Sequence, residues 1–296
     1  MDPREAQGAS AEIARRQITE RGRYYAPNGA LESVLLKVGS LPALTQIYLI
    51  RGGNSVGKTA LVCNIAGYLS DRYPNPYLDA VPYLRDFKRG GRGRILTTAN
   101  AAKNTYEDEL KKWLRHGRYR AAKEGRHHES VYTFHDSGAF FDIFTFDQAP
   151  DAGESITLDW AIVDEPMSRR HWSGLKARFR FGGVIFLILT PLEDAAWYDD
   201  ELEVPERLGK DVLSFEFPAC ANCIEHGVRG VIPHAALEDM WRDFDEAEML
   251  ARKEGKYLHR SGVIYGNFRT GYQDGEGRVI GHVPEQLPDY HQDCLE

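Results

Sequence analysis

The sequence predicts an α/β protein with a mostly parallel central sheet flanked by helices on both faces. Three observations lead there. Near-continuous apolar runs occur at 46–50 (QIYLI), 158–163 (LDWAIV) and 184–189 (VIFLIL). They lack the alternation of a half-exposed strand, so they read as strands buried on both sides. Segments with helical patterning lie between them, as crossover connections of a parallel sheet require. The first run leads straight into a glycine-rich turn and then a helix.

The chain has 296 residues, 42% of them hydrophobic. That supports one large domain with a small appendage. The longest apolar run is too short to span a bilayer. The N-terminus has no apolar signal core. Four cysteines in a chain this long do not make a disulfide framework. The expected compartment is a reducing cytoplasm. Net charge is −7, yet Arg85 to Arg126 holds 13 Lys/Arg against 5 Asp/Glu, which leaves about −15 for the rest. The block reads first as a solvated loop and helix face, and otherwise as a candidate docking surface for polyphosphate.

In chain order, residues 1–22 are polar with a weak helical pattern, and 28–38 read as a short amphipathic helix. Strand 46–50 and helix 59–69 flank the glycine-rich turn. Pro74, Pro76 and Pro82 break the pattern, and 88–94 (KRGGRGR) reads as an exposed loop. A strand is expected at 95–99, a charged helix at 105–123, and a strand pair between 131 and 146. The strand from Leu158 ends in acids, 171–180 is helical, and 184–190 is the next buried strand. After Pro191 the character changes, with a short strand, a cysteine pair and a charged helix before a glycine-rich, β-like end. The expected division is a core over 1–210, then a lid subdomain and linker over 211–296.

The turn Gly52-Gly53-Asn54-Ser55-Val56-Gly57-Lys58-Thr59 fits G-x-x-x-x-G-K-[ST]. Glycines let the backbone curl so that its N–H groups face phosphate oxygens, and the following helix adds the positive end of its dipole. Lys58 is placed to reach the β- and γ-phosphates of ATP and Thr59 to ligate Mg2+. The other half of such a site is an acid ending a buried strand, and Asp164-Glu165 supply it. Asp164 is expected in the metal shell, and Glu165 as the group that polarises the attacking water. Thr190, ending the neighbouring run, is a candidate sensor of nucleotide state.

Taken together, Tyr24 to Gly29 (YYAPNG), the P-loop, FDIFTFDQ, DWAIVDEP, ILTPLEDAAW and the segment ARKEGKYLHRSGVIYGNF resemble the N-terminal ATPase of tailed-phage terminase large subunits. The resemblance spans nearly the whole chain. It implies a RecA-like (ASCE) P-loop fold with a small lid. It also implies ATP hydrolysis that drives double-stranded viral DNA into a procapsid. The implied partners are DNA, held without sequence preference, the portal and the small terminase subunit. The chain would form a homo-oligomeric ring when assembled and be monomeric alone, in the host cytoplasm. By position, Thr190 falls in the coupling motif, and Tyr25 and Asn28 in the part that meets adenine.

Two departures stand out. Ser55 and Val56 occupy positions where many relatives carry a basic residue, and 150–155 lacks the Arg or Lys often found before the acidic strand. An arginine finger must come from elsewhere; Arg51, Arg126, Arg169, Arg170, Arg178 and Arg180 are candidates. The segment that precedes the family's nuclease lies near the C-terminal end, so no nuclease activity is expected of this chain.

Cys220-x-x-Cys223-x-x-His226 with His234 has zinc-ligand elements, though a single CxxC with two histidines also suits an ordinary loop. Competing functions are a RecA-like helicase or translocase and a nucleotide-dependent assembly switch. A helicase should carry further nucleic-acid motifs after the sheet, which are not found. A switch has no need of Glu165.

Overall fold

The computed structural model describes residues 12–87, 91–123, 129–150, 156–190, 197, 201–202, 211–245, 248–256, 272–273 and 279–280. The chain divides into two units, Met1–Leu258 and His259–Glu296. In the second, β9 (Tyr272–Gln273) and β10 (Val279–Ile280) pair antiparallel.

The first unit is organised by an eight-stranded sheet in the order β3-β4-β5-β2-β6-β7-β1-β8. The strands are β1 (Thr45–Gly52), β2 (Arg92–Thr97), β3 (Tyr119–Ala122), β4 (Val131–Phe134), β5 (Phe140–Thr145), β6 (Trp160–Asp164), β7 (Gly183–Leu189) and β8 (Val212–Phe217). From β5 to β8 all pairings are parallel; β3, β4 and β5 pair antiparallel.

The apolar runs are continuous because each strand is covered on both faces. Along β1, Tyr48 and Ile50 join one core while Ile47 and Leu49 join the other. Along β7, Val184, Phe186 and Ile188 face the first core, and Ile185, Leu187 and Leu189 the second. This is the period of two that a strand imposes, hidden from the sequence because both sides are apolar. The first core includes α1 (Gly29–Leu35) and α2 (Lys58–Asp71); the second includes Trp172 and Leu175 of α4 (Arg169–Lys176). Between them in the chain, α3 spans 99–113, with a π-helical stretch at Ala102–Tyr106. Further along, α5 spans His234–Trp241, and a π-helical stretch spans Met249–Lys253. Among the described residues, no helix is long and apolar enough to cross a membrane.

The mostly parallel sheet flanked by helices matches the fold class read from the sequence. Its details differ in three places. The loop expected at 88–94 already contains the start of β2, with Arg94 buried and paired to Asp142 by two bonds of 2.8 and 2.7 Å. The helix expected at 105–123 starts earlier and ends at Trp113. There Leu114 turns extended and Gly117 adopts φ +76, so the chain re-enters the sheet as β3. Finally, β8 pairs with β1, so the main sheet runs past residue 210, where the sequence placed the end of the core.

Candidate nucleotide site

β1 ends at Gly52, and the loop to Lys58 closes over the C-terminal edge of the sheet. Two of its glycines are structurally required. Gly57 has φ +96 and caps α2, and a Cβ on Gly53 would lie 2.5 Å from the Arg252 carbonyl. Ser55 also holds a positive φ of 70. The first turn of α2 has no intrahelical acceptors for its N–H groups, which makes it a ready anion site.

A loop that turns N–H groups inward must turn carbonyls outward, and here two asparagines receive them. Asn222 Nδ2 donates to Ser55 O at 2.8 Å, and Asn28 Nδ2 donates to Val56 O at 2.8 Å. Asn28 Nδ2 also reaches Asn222 Oδ1 at 3.1 Å, while Asn28 Oδ1 caps α1 by accepting from Leu31 N at 3.0 Å. From below, Gly53 N donates to Phe217 O and Asn54 N to Arg252 O. The loop is thus braced from both sides by segments remote in sequence.

Lys58 Nζ donates to Gly52 O at 2.6 Å and lies 3.4 Å from Thr190 Oγ1. Burial lowers its pKa to about 8, against the opposing pull of Glu165 and Asp164. Thr190 Oγ1 in turn lies 3.5 Å from Asn54 Oδ1. The end of β7 therefore approaches the glycine-rich loop.

Asp164 ends β6 and is buried. Burial raises its pKa to about 6, while the hydroxyls of Tyr106 and Thr97 and the charge of Lys58 oppose the rise. Both hydroxyls are themselves buried, with no other partner among the described residues. Glu165 follows with φ +73, a left-handed conformation rare outside glycine, and its N–H donates to Ile188 O at 3.0 Å. The turn swings Glu165 off the strand and into the cleft.

That cleft holds about 660 Å3, the size of an ordinary ligand site. Asn54 to Ala60, Asp164, Glu165 and Thr190 line it, with Thr105, Glu109 and Lys112 from α3 and Ile232 and Met240 from the C-terminal part. β7 lies between the strand that ends in the loop and the strand that ends in Asp164. Thr59 and Asp164 both line the cleft and offer hard oxygen donors, the kind that suits Mg2+.

This fold has known counterparts. The large terminase of a thermophilic bacteriophage, solved with ADP, superposes with a TM-score of 0.55 at 16% identity, over 79% of this chain and 54% of that one. A second crystal form of that protein gives 0.56 at 16% identity, over 83% and 57%. The isolated large-terminase ATPase domain of Thermus phage P74-26 gives 0.53 at 16% identity, over 80% of this chain and 96% of that domain. The fold is that of a large-terminase ATPase domain. The chain spans about half the length of the first two structures and nearly all of the isolated domain. No family model and no curated protein sequence matches it.

Against that fold, several sequence expectations change. Tyr25 is only 8% exposed and sits edge-on to Trp113 at 5.2 Å; Asn28 is 5% exposed and committed to the loop and to α1. A base contact from either would require it to leave these partners; Asn28 instead braces the loop, and Tyr25 packs in the core. Val56 is fully buried, which explains why no basic residue stands there. Among the proposed arginines, Arg51 pairs with Glu216 and Arg169 with Glu201, and Arg178 is buried with Nε on Gly174 O. Arg170 and Arg180 are exposed, and Arg126 lies outside the described residues. Tyr106, Thr97 and Asn222 were not singled out in the sequence. Only the first had a local signal, a tyrosine in a helix preceding an acidic strand, and that signal is weak.

Proposed function

We propose that this chain binds ATP with Mg2+ in the cleft and hydrolyses it, as the packaging ATPase of a phage terminase. The observation that carries the reading is the convergence of Lys58, Thr59, Asp164, Glu165 and Thr190 from three adjacent parallel strands onto one braced phosphate loop. None of the five is near another in sequence except as neighbours within a motif, so the fold itself assembles the set.

The steps follow from the charges. Lys58 exchanges the Gly52 and Gly53 carbonyls for the β- and γ-phosphates, which restore the proton affinity that burial removes. The N–H groups of the loop and the first turn of α2 hold the phosphate chain. Thr59 and Asp164 would hold Mg2+, which neutralises phosphate charge in such reactions. Glu165 orients and polarises the attacking water, and its unusual φ keeps the carboxylate off the strand axis. Thr190 reports the state of the phosphate through its contact with Lys58 and Asn54. Coupling that signal to double-stranded DNA held by a ring on a portal gives a packaging motor.

Glu165→Gln should retain ATP binding and lose hydrolysis by about 10²-fold or more, while Lys58→Ala should lose binding. ATPase stimulated by procapsid or portal, and not by DNA alone, would support the packaging role. Hydrolysis undiminished in Glu165→Gln would sink the assignment.

A further inference from the structure

The geometry points to a structural zinc site at Cys220, Cys223, His226 and His234 that locks in place the segment bracing the phosphate loop. Cys220 Sγ lies 3.6 Å from His234 Nδ1. Cys223 Sγ lies 3.4 Å from His226 Nδ1 and 3.6 Å from His234 Nδ1. Zinc bonds of roughly 2.3 Å to sulfur and 2.0–2.1 Å to nitrogen, at tetrahedral angles, place S and N about 3.5 Å apart. The observed edges match that figure. Ligand atoms of Cys220, His226 and His234 also lie within 4.8 Å of one another.

A second feature is independent of those distances. His234 turns Nδ1 to the sulfurs and Nε2 to Glu238, 3.3 Å away one helical turn on. A carboxylate on the far nitrogen is what orients a zinc-ligating imidazole. The backbone is folded tightly around the ligands. Gly227 N donates to Cys223 O, Ile224 N to Ile232 O, and a Cβ on Gly230 would meet Cys223 O at 2.0 Å. A disulfide would need none of the histidine convergence. Two thiolates and two neutral imidazoles balance the dication, and binding releases the two thiol protons, one of them now shared between Cys223 and Glu225.

The site sits where the nucleotide loop is supported. Asn222, the residue before Cys223, holds Ser55 O and meets Asn28; Ile232, two residues before His234, lines the cleft. A metal that fixes 220–234 therefore fixes the outward carbonyls of the loop. This second half rests on the cleft being a nucleotide site; the metal assignment does not.

The test is metal analysis of the full purified chain after dialysis against a chelator, with cobalt substitution as the spectroscopic probe. One zinc per chain is expected, with a tetrahedral thiolate–cobalt spectrum on exchange, and near-zero zinc in Cys223→Ser and in the milder His226→Ala. A chain that holds neither zinc nor cobalt overturns the site. His226→Ala and Asn222→Ala are each expected to weaken ATP binding about tenfold, the latter with zinc retained, because the Ser55 carbonyl loses its donor. Unchanged ATP affinity in both, beside a wild type that binds ATP, overturns the brace. Zinc bound by a wild type that binds no ATP supports the metal site and rejects only the nucleotide reading.

Discussion

Glu165 carries a conformational cost. Its φ of +73 places a side chain where L-residues are disfavoured, by roughly 1–2 kcal/mol. Glu165→Gly should therefore raise the melting temperature while abolishing ATP hydrolysis. A destabilised Glu165→Gly would mean that the turn is held by its side chain instead. Beside it, Asp164 takes up its proton near pH 6, against 3.8 ordinarily, because it is buried. Between those values the folded chain keeps a proton that the unfolded chain has lost, so stability falls as pH rises from 4 to 6 and does not return above. At about 1.4 kcal/mol per unit, the loss is of order 2–3 kcal/mol at most. In magnesium-free buffer, Asp164→Asn should gain stability over wild type at pH 7 and gain much less at pH 4. A melting-temperature difference that is the same at both pH values would refute burial as the cause. Both acids were legible in the sequence because they are adjacent and end an apolar run. Tyr106, Thr97 and Asn222 were not, because each acts on a residue far along the chain, and pairing across such distances leaves no spacing to read.

At the scale of elements, the motif-bearing strands, α2 and the pair β4–β5 follow from local pattern, while β3 and the start of β2 do not. The stretch from Lys88 to Arg94 looks like solvent-exposed loop because a buried arginine is invisible until its partner is known. Here Asp142 stands opposite Arg94 on the neighbouring strand, and the guanidinium lies 4.9 Å over Phe144. Gly93 shows the same non-local logic. Read as loop punctuation, it is in fact a strand glycine, because a Cβ there would lie 2.0 Å from the Trp160 indole opposite. Gly93→Ala should cost about 1–3 kcal/mol by denaturant unfolding. Most of that cost should vanish in a Trp160→Leu background, where the ring is gone. An undiminished cost in the double mutant would place the strain elsewhere. Gly117 was in plain view within the expected helix 105–123; given its φ of +76, it marks where that helix could not continue.

The whole molecule shows why charge summed along a sequence misleads. Among the described residues, the basic block from Arg85 to Arg126 has six members in ion pairs: Arg85 with Asp86, Arg94 with Asp142, Lys111 with Glu107 and Glu129, Lys112 with Glu109, and Arg115 and Arg118 with Asp71. Among its described members outside these pairs, Arg92, Lys103, Arg120 and Lys123 are exposed; Lys88, Arg89 and Arg126 lie outside the described residues. The same reckoning applies to the cleft. Among the described residues that line it, the basic ones are Lys58 and Lys112. An arginine contributing to phosphoryl transfer is worth about 10³–10⁵ in rate. Arg51, Arg169 and Arg178 are engaged within the subunit. We predict that the guanidinium comes from a neighbouring copy, with exposed Arg170 and Arg180, on α4 and just after it, as candidates beside Arg126, which lies outside the described residues. ATPase activity per chain should be low in dilute solution and rise by about 10³ on assembly at a portal. Doping a ring with Arg170→Ala or Arg180→Ala subunits should depress the rate more than in proportion to their fraction. A turnover per chain that is the same in the dilute and assembled states would show that one subunit completes the site by itself.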